Sequence, residues 1–75
     1  MTLADIPFNT SFLITQIQDQ CDNKTRLHRL GVLPGSKVII LRSAPLGDPL
    51  QVRIDNTLMS IRKYDAAFID VEAKA

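Results

Sequence analysis

The chain has 75 residues, nine basic and eight acidic side chains for a net charge of +1, and one cysteine. That length is one domain, residues 1–75, and a domain so small buries only about 60% of the surface its unfolded chain exposes. No disulfide can help hold it, near-neutral charge excludes a strong field for nucleic acid or anionic lipid, and no apolar run approaches the roughly 20 residues of a membrane span.

From the N-terminus, Met1–Pro7 lacks the basic region and long apolar core of a signal peptide, so a cytoplasmic protein is expected. Thr2–Asp5 has capping-box form and predicts one helical turn ended by Pro7, with Leu3 and Ile6 on one side of it. Asn9 stands where the chain must reverse, a place for left-handed backbone. Ser11–Ile17 is the first strand, with Phe12 and Ile14 on one face and Leu13 and Ile17 on the other. Asp22 or Asn23 caps a short helix running to Leu30 and stopped by Gly31; Leu27 and Leu30, spaced i, i+3, anchor it.

Leu30–Pro49 organises the rest. Pro34-Gly35 is a turn in which proline presets φ and glycine supplies φ > 0. Val38-Ile39-Ile40-Leu41 is an unbroken apolar run that wants cover on both faces, so it is the expected central strand. Pro45-Leu46-Gly47-Asp48-Pro49 suits neither helix nor interior strand; it is a stiff loop that loses little entropy on docking. Leu50–Asp55 then alternates, Leu50, Val52 and Ile54 inward and Gln51, Arg53 and Asp55 outward. The following hairpin turn is Asp55-Asn56, with Asn56-Thr57 as its rival; either places Met59 and Ile61 inward and Leu58 outward beside Arg53. Arg62–Ala67 is a helical turn with Ala66 and Ala67 tucked in. Phe68–Val71 is the last strand, Ile69 and Val71 sharing a face, and Ala73–Ala75 is a tail. Five short strands between Gly/Pro corners, in so few residues, predict a mainly β protein: a small five-stranded SH3-like barrel with one short inserted α-helix.

Candidate chemistry is sparse. Cys21 and His28, near Asp19 and Asp22, are the only soft metal donors, and they lack the paired spacing of a closed four-ligand site. The same two residues would have to serve any nucleophilic mechanism alone, so no enzyme and no cofactor are expected. Gly31–Lys37 has a passing likeness to a phosphate loop, but its glycine spacing is one short and a strand follows it. Four aromatics, mostly in apolar patterns, argue against a nucleic-acid surface. A protein-binding module remains, built on the Pro45–Pro49 loop, the Leu33–Gly35 turn, and outward Arg53 and Leu58.

Leu30-Gly31-Val32-Leu33-Pro34-Gly35, Ala44-Pro45-Leu46-Gly47-Asp48-Pro49, Ser60-Ile61-Arg62-Lys63 and Ala66-Ala67 together resemble the FeoA family over Leu3–Glu72. One departure is Pro7-Phe8-Asn9-Thr10, where many members have Pro-Gly. The resemblance implies an SH3-like barrel with a helical insertion, in a small cytosolic component of bacterial ferrous iron uptake. It implies docking on the cytosolic GTPase side of the FeoB transporter, peripheral to the inner membrane, with other small components of the system as further candidates. It carries no catalytic residues across and no convincing metal-ligand set. The same domain type ends many iron-dependent repressors; without a preceding DNA-binding segment, that role is not expected here. Leu33, Pro45, Leu46, Gly47, Asp48 and Arg62 are the expected FeoB-contacting residues. The alternative function is a free-standing transition-metal chaperone or sensor using Cys21 and His28.

Overall fold

The computed structural model describes residues 1–74. Its strands are β1 (Phe12–Ile17), β2 (Lys37–Ser43), β3 (Leu50–Ile54), β4 (Thr57–Ile61) and β5 (Ile69–Ala73). All pairings are antiparallel, and the sheet order is β4-β3-β2-β1-β5, which puts β2 at the centre as expected. Helix α1 spans Lys24–Leu30, α2 spans Lys63–Ala66, and a 3-10 turn covers Leu3–Asp5. The mainly β, five-stranded architecture is therefore the expected one.

The inward face of each strand follows period-2 alternation until a bulge interrupts it. In β1, Phe12 and Ile14 are buried as predicted, but Ile17 is buried beside them rather than on the opposite face. The reason is an irregularity between Ile14 and Gln16 in the pairing with β5, which shifts the parity of the strand by one residue. A second shift, between Ile40 and Arg42, bends β2 against β3. Val38 and Ile40 are completely covered, while Ile39 and Leu41 are half-buried, so the central strand has full cover on one face only.

The hairpin turns at Asp55-Asn56: Ile54 pairs with Thr57, and Asp55 takes a φ of 52°. That register buries Ile61, packs Met59 on the core and leaves Leu58 exposed opposite Arg53, all as expected. Asn9 likewise adopts a left-handed φ of 61°.

At the N-terminus, the Asp5 carboxylate accepts from the Thr2 backbone N–H at 3.3 Å and from its hydroxyl at 3.0 Å. The turn drives Leu3 and Ile6 into the core. The Val71 N–H donates to the Met1 carbonyl at 3.0 Å, which fastens this segment along β5.

Two helix expectations need correction. Gly31 does end α1 with a φ of 102°, and Leu27 is buried, but Leu30 is 48% exposed. After the left-handed residue the chain turns back, the Val32 N–H reaches the Leu27 carbonyl at 3.0 Å, and Val32 fills the core position instead. In α2, Ala66 is buried but Ala67 is exposed; the inward neighbour is Asp65, at 3% exposure. The last strand begins at Ile69, one residue later than expected, because the Phe68 N–H still donates to the Asp65 carbonyl at the end of α2, at 3.0 Å; its ring meets Tyr64 edge-to-face at 5.5 Å. Of the expected tail, Ala73 belongs to β5 and Ala75 lies outside the described residues.

Candidate functional site

The loop after β2 is held from inside and out. The Gly47 N–H donates to the Ala44 carbonyl at 2.7 Å, and the Ala44 N–H donates to the Pro49 carbonyl at 2.9 Å. Pro45 occupies the first corner of that turn, where its fixed φ suits, and Gly47 takes a φ of 89°. The Asp48–Pro49 peptide bond is cis. The Asp48 carboxylate then accepts the backbone N–H of Lys63 at 2.9 Å, the first residue of α2. One carboxylate thus satisfies an orphan donor at the helix start and pins the loop to the helix. Leu46, between these restraints, is 97% exposed, an apolar side chain presented to solvent on a rigid turn.

Arg62 immediately precedes α2 in extended backbone, with its side chain exposed. It and Pro49 line a cleft of about 200 Å³ whose other wall is Arg26 and Leu30 of α1. The structure therefore gathers Pro45, Leu46, Gly47, Asp48 and Arg62 at one end of the molecule. Leu33 lies on a different segment: it opens the Leu33–Ser36 turn between α1 and β2, with its side chain exposed.

Other residues at this end were not anticipated. Leu30 became part of the cleft because it faces out, and Arg26 because it sits one helical turn earlier on the same face. Leu58, Met59, Leu41 and Ser60 border a second cleft of about 210 Å³. The outward leucine in an otherwise regular strand was its only sequence signal.

Cys21 precedes α1, and His28 lies in its last turn, partly buried. Cys21 is buried, and its thiol donates to the Asp65 carboxylate at 4.0 Å. The Asn23 side-chain amide donates to both oxygens of Asp65, at 3.0 and 3.3 Å. Asp19 is paired with Lys24, whose hydrogen bond and charge hold its carboxyl below the usual carboxylate range. No group of three His, Cys, Asp or Glu side chains among the described residues is placed to hold a metal ion. No helix among them is long and apolar enough to cross a membrane.

Comparison with known proteins gives a consistent picture. The sequence profile of the family described as FeoA domain matches residues 1–73. The chain is similar to the Fe(2+) transport protein A/Fe(2+) transporter FeoB fusion protein of Porphyromonas gingivalis, with 29% identity over 72 residues. That match takes in 96% of this chain but only 8% of the fusion protein's length. Among solved structures it is similar to the FeoA protein of Chlorobium tepidum, with 32% identity, TM-score 0.89, and coverage of 100% of this chain and 71% of that one. It is also similar to the FeoA of Stenotrophomonas maltophilia in complex with zinc, described as a prokaryotic SH3 domain protein: 32% identity, TM-score 0.81, and coverage of 96% and 89% of the two chains.

Proposed function

This chain belongs to the FeoA domain family, and from that premise we propose that it is a cytosolic accessory protein of ferrous iron uptake which docks on the GTPase side of FeoB and modulates it. The observation that carries the reading is the P. gingivalis relative, in which an A component and the FeoB transporter share one polypeptide. Joining two partners covalently makes their encounter intramolecular and raises their effective concentration to the millimolar range for a short flexible linker. A separate A component of the same type would need a surface to make that encounter unaided.

The loop Pro45–Asp48 with Arg62 supports the reading as such a surface. Leu46 is an apolar anchor whose backbone is already fixed, so docking it costs little ordering entropy. Leu33, exposed on the turn before β2, is a further contact residue in this reading. Chemistry on a substrate is no part of the proposal: the function is recognition.

The experiment is capture of FeoB's cytosolic domain on the immobilised native chain, compared with Leu46→Asp. Because Leu46 is almost wholly exposed, the variant should fold with its stability changed by no more than about 0.5 kcal/mol. Capture by the native chain and a loss of about tenfold or more in the variant are expected, as for a central apolar anchor. Full capture by a folded Leu46→Asp variant removes the loop from the interface, and no capture by the native chain overturns the docking reading.

A further inference from the structure

β4 ends the sheet, and nothing among the described residues pairs with its outer edge. Residues flanking a two-residue turn exchange hydrogen bonds, so Ile54 and Thr57 form such a pair. Alternation then directs the backbone groups of Met59 and Ile61 toward β3 and those of Leu58 and Ser60 away from it. Two N–H donors and two carbonyls face outward in a strand without charge, proline or bulge. The opposite edge is blunted: β5 carries Asp70 and Glu72, and the Met1–Thr2 segment already bonds to it.

The open edge runs between two clefts of about 210 and 200 Å³, and Ser60 lines both. One is lined by Leu41, Val52, Leu58 and Met59 together with Arg42, whose guanidinium is engaged by the Gln51 side-chain oxygen. The other is lined by Arg26 and Arg62, with Leu30 and Pro49 beside them. The described residues contain one ion pair, Lys24–Asp19, so neither guanidinium has a carboxylate partner among them. Asp65, the acid of that cleft, is engaged by Asn23. An added strand projects successive side chains to opposite faces of the sheet. Neighbouring residues of such a strand would enter the two clefts in turn, one apolar and one acidic.

We propose that β4 is a strand-addition site that takes an extended segment of the protein partner in which apolar and acidic residues alternate. Backbone hydrogen bonds to Leu58 and Ser60 supply affinity, and the two clefts supply the choice of side chain. The identity of the partner rests on the docking reading given above; the chemistry of the segment rests on the edge and its clefts.

The probe is a heptapeptide alternating valine and glutamate, blocked at both ends, added to the full chain. Amide hydrogen exchange followed by NMR should show the Leu58 and Ser60 N–H groups slowed at least about tenfold at saturation. The same peptide with lysine for glutamate should leave them unchanged. Ser60→Pro removes an outward N–H without breaking the ladder to β3, a position where an edge strand tolerates proline, and should abolish binding. Arg26→Glu, on the exposed face of α1, should weaken it about tenfold or more through lost and reversed charge. Unchanged exchange at Leu58 and Ser60, or equal binding of the lysine peptide, overturns the proposal. So does a concentration-dependent dimer of the native chain blocked by Ser60→Pro, which would give the edge to a second copy. FeoB capture separates the two readings. Equal capture by native and Ser60→Pro chains overturns strand addition and leaves docking intact; slowed exchange with the peptide but no FeoB capture supports the edge and overturns docking.

Discussion

Asp65 holds the two helices to one another. It lies in α2, is almost fully buried, and takes hydrogen bonds from Asn23 at the start of α1 and from the Cys21 thiol. Asn23 cannot also cap α1 with its side chain, and it does not. Asp65→Ala leaves these donors without an acceptor, at a cost of about 1–3 kcal/mol. In a chain of this size each kcal/mol lowers Tm by about 4–8 °C, which calorimetry will read, and thiol labelling of Cys21 should quicken in parallel. Asp70 makes a different kind of claim. Hydrogen bonds from the Gln16 and Gln18 amides, both 2.8 Å, hold its carboxyl below the usual carboxylate range. The unfolded chain, with an ordinary value near ~3.9, therefore takes up the proton more readily than the folded one. The stabilisation is present above that value and is lost as pH falls through the lower folded one. Asp70→Asn should flatten the decline of Tm between about pH 5 and pH 2 while leaving its shape near neutrality unchanged.

Among the elements, the loop and α2 depend on each other through Asp48. Asp48→Ala should cost about 1 kcal/mol, the usual value of a helix-start acceptor, measured as a lower urea midpoint with unchanged slope. The strands show what the sequence could and could not disclose. β3 and the Asp55-Asn56 hairpin were legible because alternation there is unbroken and only one of the two rival turns avoids a left-handed threonine. Ile17 was misplaced because a bulge is one extra residue without a residue type of its own, and it inverts the face of everything beyond it. Leu30 was misplaced because i, i+3 spacing is shared by an anchoring leucine and by one that the last turn of a short helix carries outward. Ala67 is exposed and Asp65 buried for a tertiary reason: a buried acid is favourable only where donors such as Asn23 await it. The site divides the same way. The rigidity of Pro45–Pro49 was visible in its composition, whereas the convergence of Arg26, Pro49 and Arg62 follows from three-dimensional placement alone.

At the scale of the molecule, so few residues leave little reserve. Stability of roughly 0.05–0.15 kcal/mol per residue gives this chain only about 4–11 kcal/mol in total. Leu3 is one of its fully buried side chains, contributed by a turn outside the five strands. Leu3→Ala should remove about 2–5 kcal/mol, a large part of that reserve. Equilibrium urea unfolding at 25 °C checks this, and a loss below about 1 kcal/mol would show that the N-terminal turn is a cover rather than part of the core.

Asp48 grips the backbone of Lys63, and two residues further on Asp65 grips Asn23. The exposed leucine is thereby fastened through two carboxylates to the helix across the cleft, like the tongue of a clasp riveted to its plate. A hand laid on the tongue also moves the plate, so the places where this protein is held and where it is built cannot be altered independently.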